Sequence, residues 1–195
     1  MKILSIAFSL FLLMDPLGNV PLFLSILKHI PPKRQRIIIA RELLIALTII
    51  ALFALAGDEL LRFLSVDQAT VHIAGGIILF LLCIHMIFPS STPSEPLSAV
   101  HEPFFVPLAI PLVAGPGVLA AVMIYAGQEE NDWIVLAALF IAWVASLLIL
   151  LVSPLLQRLL GQRGLVAIER LMGLIVTLIA VQMFLEGIAG FAKQI

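Results

Sequence analysis

The sequence predicts an all-α, polytopic membrane protein of six transmembrane helices, arranged as two inverted three-helix repeats with broken first helices. Three observations carry this. The 195 residues are 62% hydrophobic and only 12% charged, with a mean hydropathy of +1.19, against about 45–50% apolar and 25% charged in soluble domains. Three windows without a charge, 68–94, 103–128 and 133–157, each exceed the ~20 residues of a spanning helix. Related segments also recur in order at a nearly constant spacing of 96 to 100 residues.

The first helix is expected over 3–27. Lys2 and the apolar run behind it imitate a secretion signal. However, Met14-Asp15-Pro16-Leu17 offers no small-x-small cleavage site and apolar sequence resumes beyond it, so the segment reads as a retained span. Charges and Pro/Ser-rich stretches bound five further spans, 37–57, 69–88, 104–127, 133–157 and 171–190. Barrel strands would alternate in polarity over about ten residues, whereas these windows are unbroken. The first connection is basic, with Lys28, Lys33, Arg34 and Arg36 around Pro31-Pro32. The second is acidic and amphipathic (Asp58, Glu59, Arg62, Asp67), and the third, 89–103, is rich in proline and serine. The fourth carries Glu129, Glu130 and Asp132, and the fifth Arg158, Arg163 and Arg170.

Basic loops stay cytoplasmic. Loops one, three and five with their helix ends hold eight basic residues once Arg41 is included, against Lys2, Arg62 and Lys193 on the other side. Both termini are therefore expected outside the cytoplasm. A net charge of −1 without a basic tail gives no footing for nucleic acid. The lone Cys83 forms no intrachain disulfide and no Cys-based metal site, and reads as a small buried hydrophobe.

An offset of 97 lays Gly76-Ile77-Ile78-Leu79-Phe80-Leu81-Leu82-Cys83-Ile84-His85-Met86 over Gly173-Leu174-Ile175-Val176-Thr177-Leu178-Ile179-Ala180-Val181-Gln182-Met183. Near-equal offsets lay Leu60–Leu64 over Leu156–Leu160 and Pro16 over Pro116. The chain is one membrane domain of two copies, about 1–98 and 99–195. Three spans is an odd number, so the second copy enters the membrane from the opposite side, the plan of many secondary transporters. The charge pattern agrees, being basic after the first span of copy one and acidic after that of copy two.

The midpoint of 3–27 is Asp15, followed by Pro16, Gly18, Asn19 and Pro21; the midpoint of 104–127 falls at Gly115-Pro116, followed by Gly117. Pro removes a backbone donor and disfavours helix in the residue before it, and Gly tolerates irregular backbone. Within a bilayer such a break persists only where protein or a polar cavity surrounds it. A half-helix resuming after the break offers free N–H groups and a positive dipole end to a carboxylate, and unwound carbonyls suit a cation. An unpaired aspartate at mid-depth costs at least ~2.5–3.5 kcal/mol on insertion scales, which marks Asp15 as functional. It would take a proton, a cation such as Na+, or the cap of the following half-helix.

These residues, Met14–Pro21 with Leu27-Lys28-His29, Arg41–Leu47, Gly75–Leu81, Val106–Pro116 and Glu169–Ile175, resemble the MarC family of bacterial inner-membrane proteins, in its YhgN-like branch. The resemblance covers essentially the whole chain. It implies six spans, an inner-membrane location, in which the termini placed outside the cytoplasm by the basic residues are periplasmic, and a relation to transporters of small neutral amino acids, alanine and glycine among them.

Other polar residues sit at helix ends or on apolar helices. Arg41 and Arg170 are expected to snorkel to the interface or pair with an acid, whereas Glu42 and Glu169 are candidates for a gate between the copies. His85 and Gln182 occupy equivalent positions and read either as an interhelical hydrogen bond or as a substrate or proton contact. His72 reads as interfacial. Thr48, Ser146 and Thr177 are expected to bond their own helix backbone.

An intramembrane enzyme is rejected: His101-Glu102 lacks the second His of a zinc protease, Gly115-Pro116-Gly117 opens no phosphate loop, and no nucleophile, base and orienter assemble. No cofactor and no metal cluster are implied. A channel, an exporter of another small solute, or a membrane protein without transport stand as alternatives. The reading favoured by the breaks is secondary transport of a small zwitterion coupled to H+ or Na+. Backbone N–H groups and Asn19 would hold the carboxylate, and Asp15 the cation or ammonium group. The partners are then the lipid bilayer and a small solute; assembly into a homo-oligomer stays open.

Overall fold

Helices that are apolar on every side expose lipid-facing residues as greasy as their core, so only the buried stripe tells which side faces protein. The computed structural model describes residues 2–27, 30–88, 113–129 and 131–192, and within these the regular structure is helical. The connection 89–103 and the first part of the fourth span, to residue 112, lie outside the described residues.

Helix α1 (Lys2–Met14) buries Ile6, Ala7, Leu10, Leu13 and Met14 at spacings of three and four, and exposes Leu4 and Phe8. Helix α2 (Pro16–Leu27) follows after the single residue Asp15. The expected break through Pro21 is therefore narrower than the sequence suggests, because Pro21 lies inside α2.

Helix α3 (Pro32–Leu64) starts earlier than residue 37, taking Lys33, Arg34 and Arg36 out of the expected loop. The reason is Pro32 in the first turn, where its missing N–H costs nothing. The Gln35 side-chain amide clamps the turn before it, donating to the carbonyls of Leu27 and Ile30, each at 2.9 Å. The helix ends on Ser65 at φ 54, with Ser65 N–H on Arg62 O and Val66 N–H on Leu61 O, a Schellman closure.

The other described helices are α4 (Gln68–Ile87), α5 (Pro116–Gln128), α6 (Asp132–Leu151) and α7 (Ser153–Ala192). The expected fifth span, 133–157, stops at Leu151, and only Val152 separates α6 from α7. Pro154 cannot continue α6 but is accepted in the first turn of a new helix. The expected loop 158–170 is helical, interrupted by Gly161 at φ 65.

Among the described residues, four stretches are long and apolar enough to cross a membrane: Lys2–Leu24, Pro32–Gly57, Asp132–Leu151 and Ser153–Ala192. Gln68–Ile84 and Pro116–Gln128 are shorter apolar helices.

The tightest packing joins α4 to α7. A Cβ placed on Gly76 would lie 2.8 Å from both Ala180 O and Phe184 N, and one on Gly173 would lie 3.1 Å from Ile87 and 3.7 Å from Cys83 O. Gly187 faces Ile73 and Ala69. Partner numbers fall along α7 as they rise along α4, so the two helices cross antiparallel. Helix α5 sits inside, burying Gly117, Val118 and 120–124, and packs on α3 and α4, while α1 packs on α6 and α2 on α7 and α6. The Trp143 indole N–H donates to Leu43 O at 2.8 Å and ties α6 to α3. As expected, Thr48, Ser146 and Thr177 bond the carbonyls of Leu44, Ala142 and Gly173, and Cys83 is a buried free thiol.

Candidate functional site

Asp15 performs two jobs at the first break. Its backbone, at φ 42, lies in the left-handed region, which ends a helix and which Asp and Asn tolerate better than most residues. Its N–H still bonds to Phe11 O and Leu12 O at 3.1 and 3.2 Å, closing α1. Its side chain also caps α2, since Oδ1 accepts the Gly18 N–H at 3.0 Å. Pro16 opens α2 and has no N–H to satisfy. Asn19 completes the stitch: its side-chain amide donates to Met14 O at 3.1 Å and its backbone N–H to Asp15 O at 3.1 Å. The Gly18 N–H and the Asn19 amide, both expected to meet a substrate carboxylate, are thus committed locally.

The second carboxylate oxygen is different. Asp15 is 7% exposed and its Oδ2 accepts no hydrogen bond. Any Cβ on Gly18 would overlap that oxygen and the Met86 methyl, so Met86 lies against the break. The Glu169 carboxylate is near enough for its charge to act on Asp15. The break at Asp15 is thereby covered by Met86 of α4, which also packs against Gly173 of α7.

The second break lacks this plug. Val113, Ala114 and Gly115 are buried, Gly115 occupies the N-cap of α5 at φ −74 and ψ 162, and Pro116 opens the helix. Gly115 has no side chain with which to cap the first-turn N–H groups of Gly117 and Val118. Gly117 packs closely on Leu79 of α4. The offset that lays Pro16 over Pro116 lays Asp15 over Gly115. At this N-cap position the two half-helices differ: α2 has a carboxylate and α5 has none.

Above α5 a cavity of about 720 Å³ lies between α1, α4, α5 and α7. It runs from exposed Gln128, Gln182 and Glu186 to buried Leu13, Ala121 and Met183. Gln182 donates to Glu186 Oε1 at 2.7 Å, along its own helix and not across to α4, and His72 Nε2 stands 3.9 Å from Glu186 Oε2. The cavity therefore brings Gln182 together with His72, which the sequence reading left at the interface, and with Glu186 and Gln128, which it did not single out. The signal present was the i, i+4 pair Gln182/Glu186 on an otherwise apolar face. The side chain of His85 lies outside the described residues.

Glu42 is 1% exposed, with Oε1 accepting Arg41 Nε and Nη2 at 3.1 and 2.9 Å and Oε2 without a hydrogen bond. Its described pairing runs to its neighbour on α3, while Glu169 lies within electrostatic range of Asp15. Among the described residues no group of three or more His, Cys, Asp or Glu side chains is placed to hold a metal ion. Lys2 pairs with Glu129 at 3.2 Å, which puts the start of the chain and the end of α5 on one face.

The chain is similar to the MarC family integral membrane protein model over residues 1–192. It is 54% identical to the UPF0056 inner membrane protein YhgN of Escherichia coli (strain K12) over 194 residues, covering 98% of each chain. It is 46% identical to a UPF0056 membrane protein of Buchnera aphidicola over 99% of each chain, and 36% identical to one of Chlamydia pneumoniae over 96% of this chain and 94% of that one. No solved structure matches it. With a family model spanning nearly its full length and relatives this similar from end to end, the chain belongs to the MarC family of integral membrane proteins.

Proposed function

We propose that this protein is a secondary transporter of small neutral amino acids of the alanine and glycine type. It works by alternating access between inverted repeats 1–98 and 99–195, driven by H+ or Na+, in the bacterial inner membrane with periplasmic termini. The observation that carries the reading is the contrast between the capped N-terminus of α2 and the uncapped one of α5. A solute carboxylate at Gly117 and Val118 would do for α5 what the Asp15 side chain does for α2. The cation, or the solute ammonium group, falls to Asp15 Oδ2.

Reciprocal packing supports the repeats. Under the offset of 97, the contact of Gly76 with Ala180 and Phe184 becomes that of Gly173 with Cys83 and Ile87, and both contacts occur. Likewise α2 packs on α7 as α5 packs on α4. A two-fold axis across an antiparallel helix pair produces such exchange. The pairs Lys2–Glu129 and His72–Glu186 support termini and even-numbered loops on one face. The relative named an inner membrane protein supports the location.

The test is uptake of labelled alanine and glycine into liposomes, with Na+ and proton gradients imposed separately. Saturable uptake driven by one gradient is expected. No saturable uptake by correctly inserted protein contradicts the substrate class, and non-saturating passive flux favours a channel.

A further inference from the structure

The cavity and the sequence repeat together say more than either alone. Resting on the inverted-repeat reading above, several residues lining the cavity have described counterparts in the other copy. The offset of 97 turns His72 into Glu169 and Met183 into Met86, and the offset of 100 turns Ile124 into Leu24 and Leu13 into Val113. Of these counterparts Leu24 lies on α2, Met86 on α4 and Glu169 on α7. Met86 lies against Gly18 on one side and Gly173 on the other, and Glu169 acts on Asp15. In the first set a cavity of about 720 Å³ separates the helices. In the second, Met86 occupies the seam between Gly18 and Gly173, and Asp15 is 7% exposed.

We infer that the surfaces of α2, α4 and α7 around Met86 and Glu169 form a second access path. It is closed in this structure and opens to the face opposite the termini when the present cavity closes. Two related units can exchange conformations, so a gap beside α5 in one state reappears beside α2 in the other. Met86 is then the residue that must leave the Gly18–Gly173 seam. Glu169 is the polar residue of the second path, as His72 is of the first. Opening the second path uncovers Asp15 Oδ2, whereas the first path reaches the α1 side of the break at Leu13.

Two-sided labelling tests this without any transport assay. In a Cys83→Ala background, Gln182→Cys, Glu169→Cys and Leu24→Cys are exposed to a membrane-impermeant maleimide in right-side-out and inverted vesicles. Gln182→Cys is expected to react only from the face carrying the termini, and Glu169→Cys and Leu24→Cys only from the opposite face. In the double variant Gln182→Cys/Leu24→Cys, prior modification at 182 props the first path open, and loss of labelling at 24 is expected. Reaction at 169 and 24 from the terminal face, reaction from neither face, or reaction at 24 unaffected by modification at 182 would each overturn the inference. Absence of alanine or glycine uptake would leave it standing and count only against the substrate class.

Discussion

The amide of Gly18 donates to Asp15 Oδ1 at 3.0 Å, while the other carboxylate oxygen of Asp15 is buried without a hydrogen bond. One oxygen holds the helix break together, and the proposed function gives the other to the cation or ammonium group. The two roles separate by mutation. Asp15→Asn keeps an oxygen for the cap and a residue that accepts φ 42, so the purified protein should melt within a few degrees of wild type yet lose transport. Asp15→Ala loses the cap, about 0.5–2 kcal/mol, and strains the left-handed position by about 1–2 kcal/mol, and should lower the melting temperature markedly. Wild-type uptake by Asp15→Asn would remove the charge from the mechanism.

Gly18 is required by space and not by backbone freedom, since it lies within α2. Gly18→Ala sets a methyl against Asp15 Oδ2 and Met86. It should lower solute affinity even though Ala is the better helix former by about 1 kcal/mol. Binding of labelled alanine by the detergent-solubilised variant checks this.

The α4–α7 seam predicts an ordered pair of effects. In Gly76→Ala the new methyl meets backbone atoms at 2.8 Å, whereas in Gly173→Ala it meets the end of Ile87 first, at 3.1 Å. Backbone cannot yield as a side chain can, so Gly76→Ala should cost about 1–3 kcal/mol as overpacking does, and Gly173→Ala less. Thermal melting of both variants should preserve that order.

Ser65 ends α3 at φ 54, a conformation that favours glycine. It is exposed and remote from the break. Ser65→Gly should raise the melting temperature by the equivalent of about 1 kcal/mol and leave uptake unchanged.

Asp15-Pro16 announces the first helix break, and Gly115-Pro116 the start of α5, because proline and glycine act on the backbone locally. The self-packing of α4 and α7 is legible for a similar reason, as Gly76 and Gly173 coincide under one offset. What the Asp15 side chain does is not legible, since a mid-span carboxylate reads equally as a ligand site or a cap, and only geometry shows that one oxygen caps α2. Pro21 looks like part of the break, yet a proline removes a single ladder bond and the surrounding helices keep α2 intact. The stretch 158–170 looks like a loop because arginines suggest an interface, but no proline follows Pro154 and the helix continues past Gly161. The cavity joins His72 of α4 to Glu186 of α7, a meeting that depends on packing between distant segments and leaves no local mark.

The central claim is that the uncapped start of α5 seats the solute carboxylate, and Gly115→Asp tests it most directly. The N-cap backbone there, φ −74 and ψ 162, suits an aspartate, whose side chain would occupy the N–H groups of Gly117 and Val118 as Asp15 occupies that of Gly18. The measurement is binding of labelled alanine and glycine to purified Gly115→Asp beside wild type, with melting temperature as the control for folding. The account predicts a protein at least as stable as wild type that no longer binds either amino acid. Binding at wild-type affinity by a folded Gly115→Asp would contradict it.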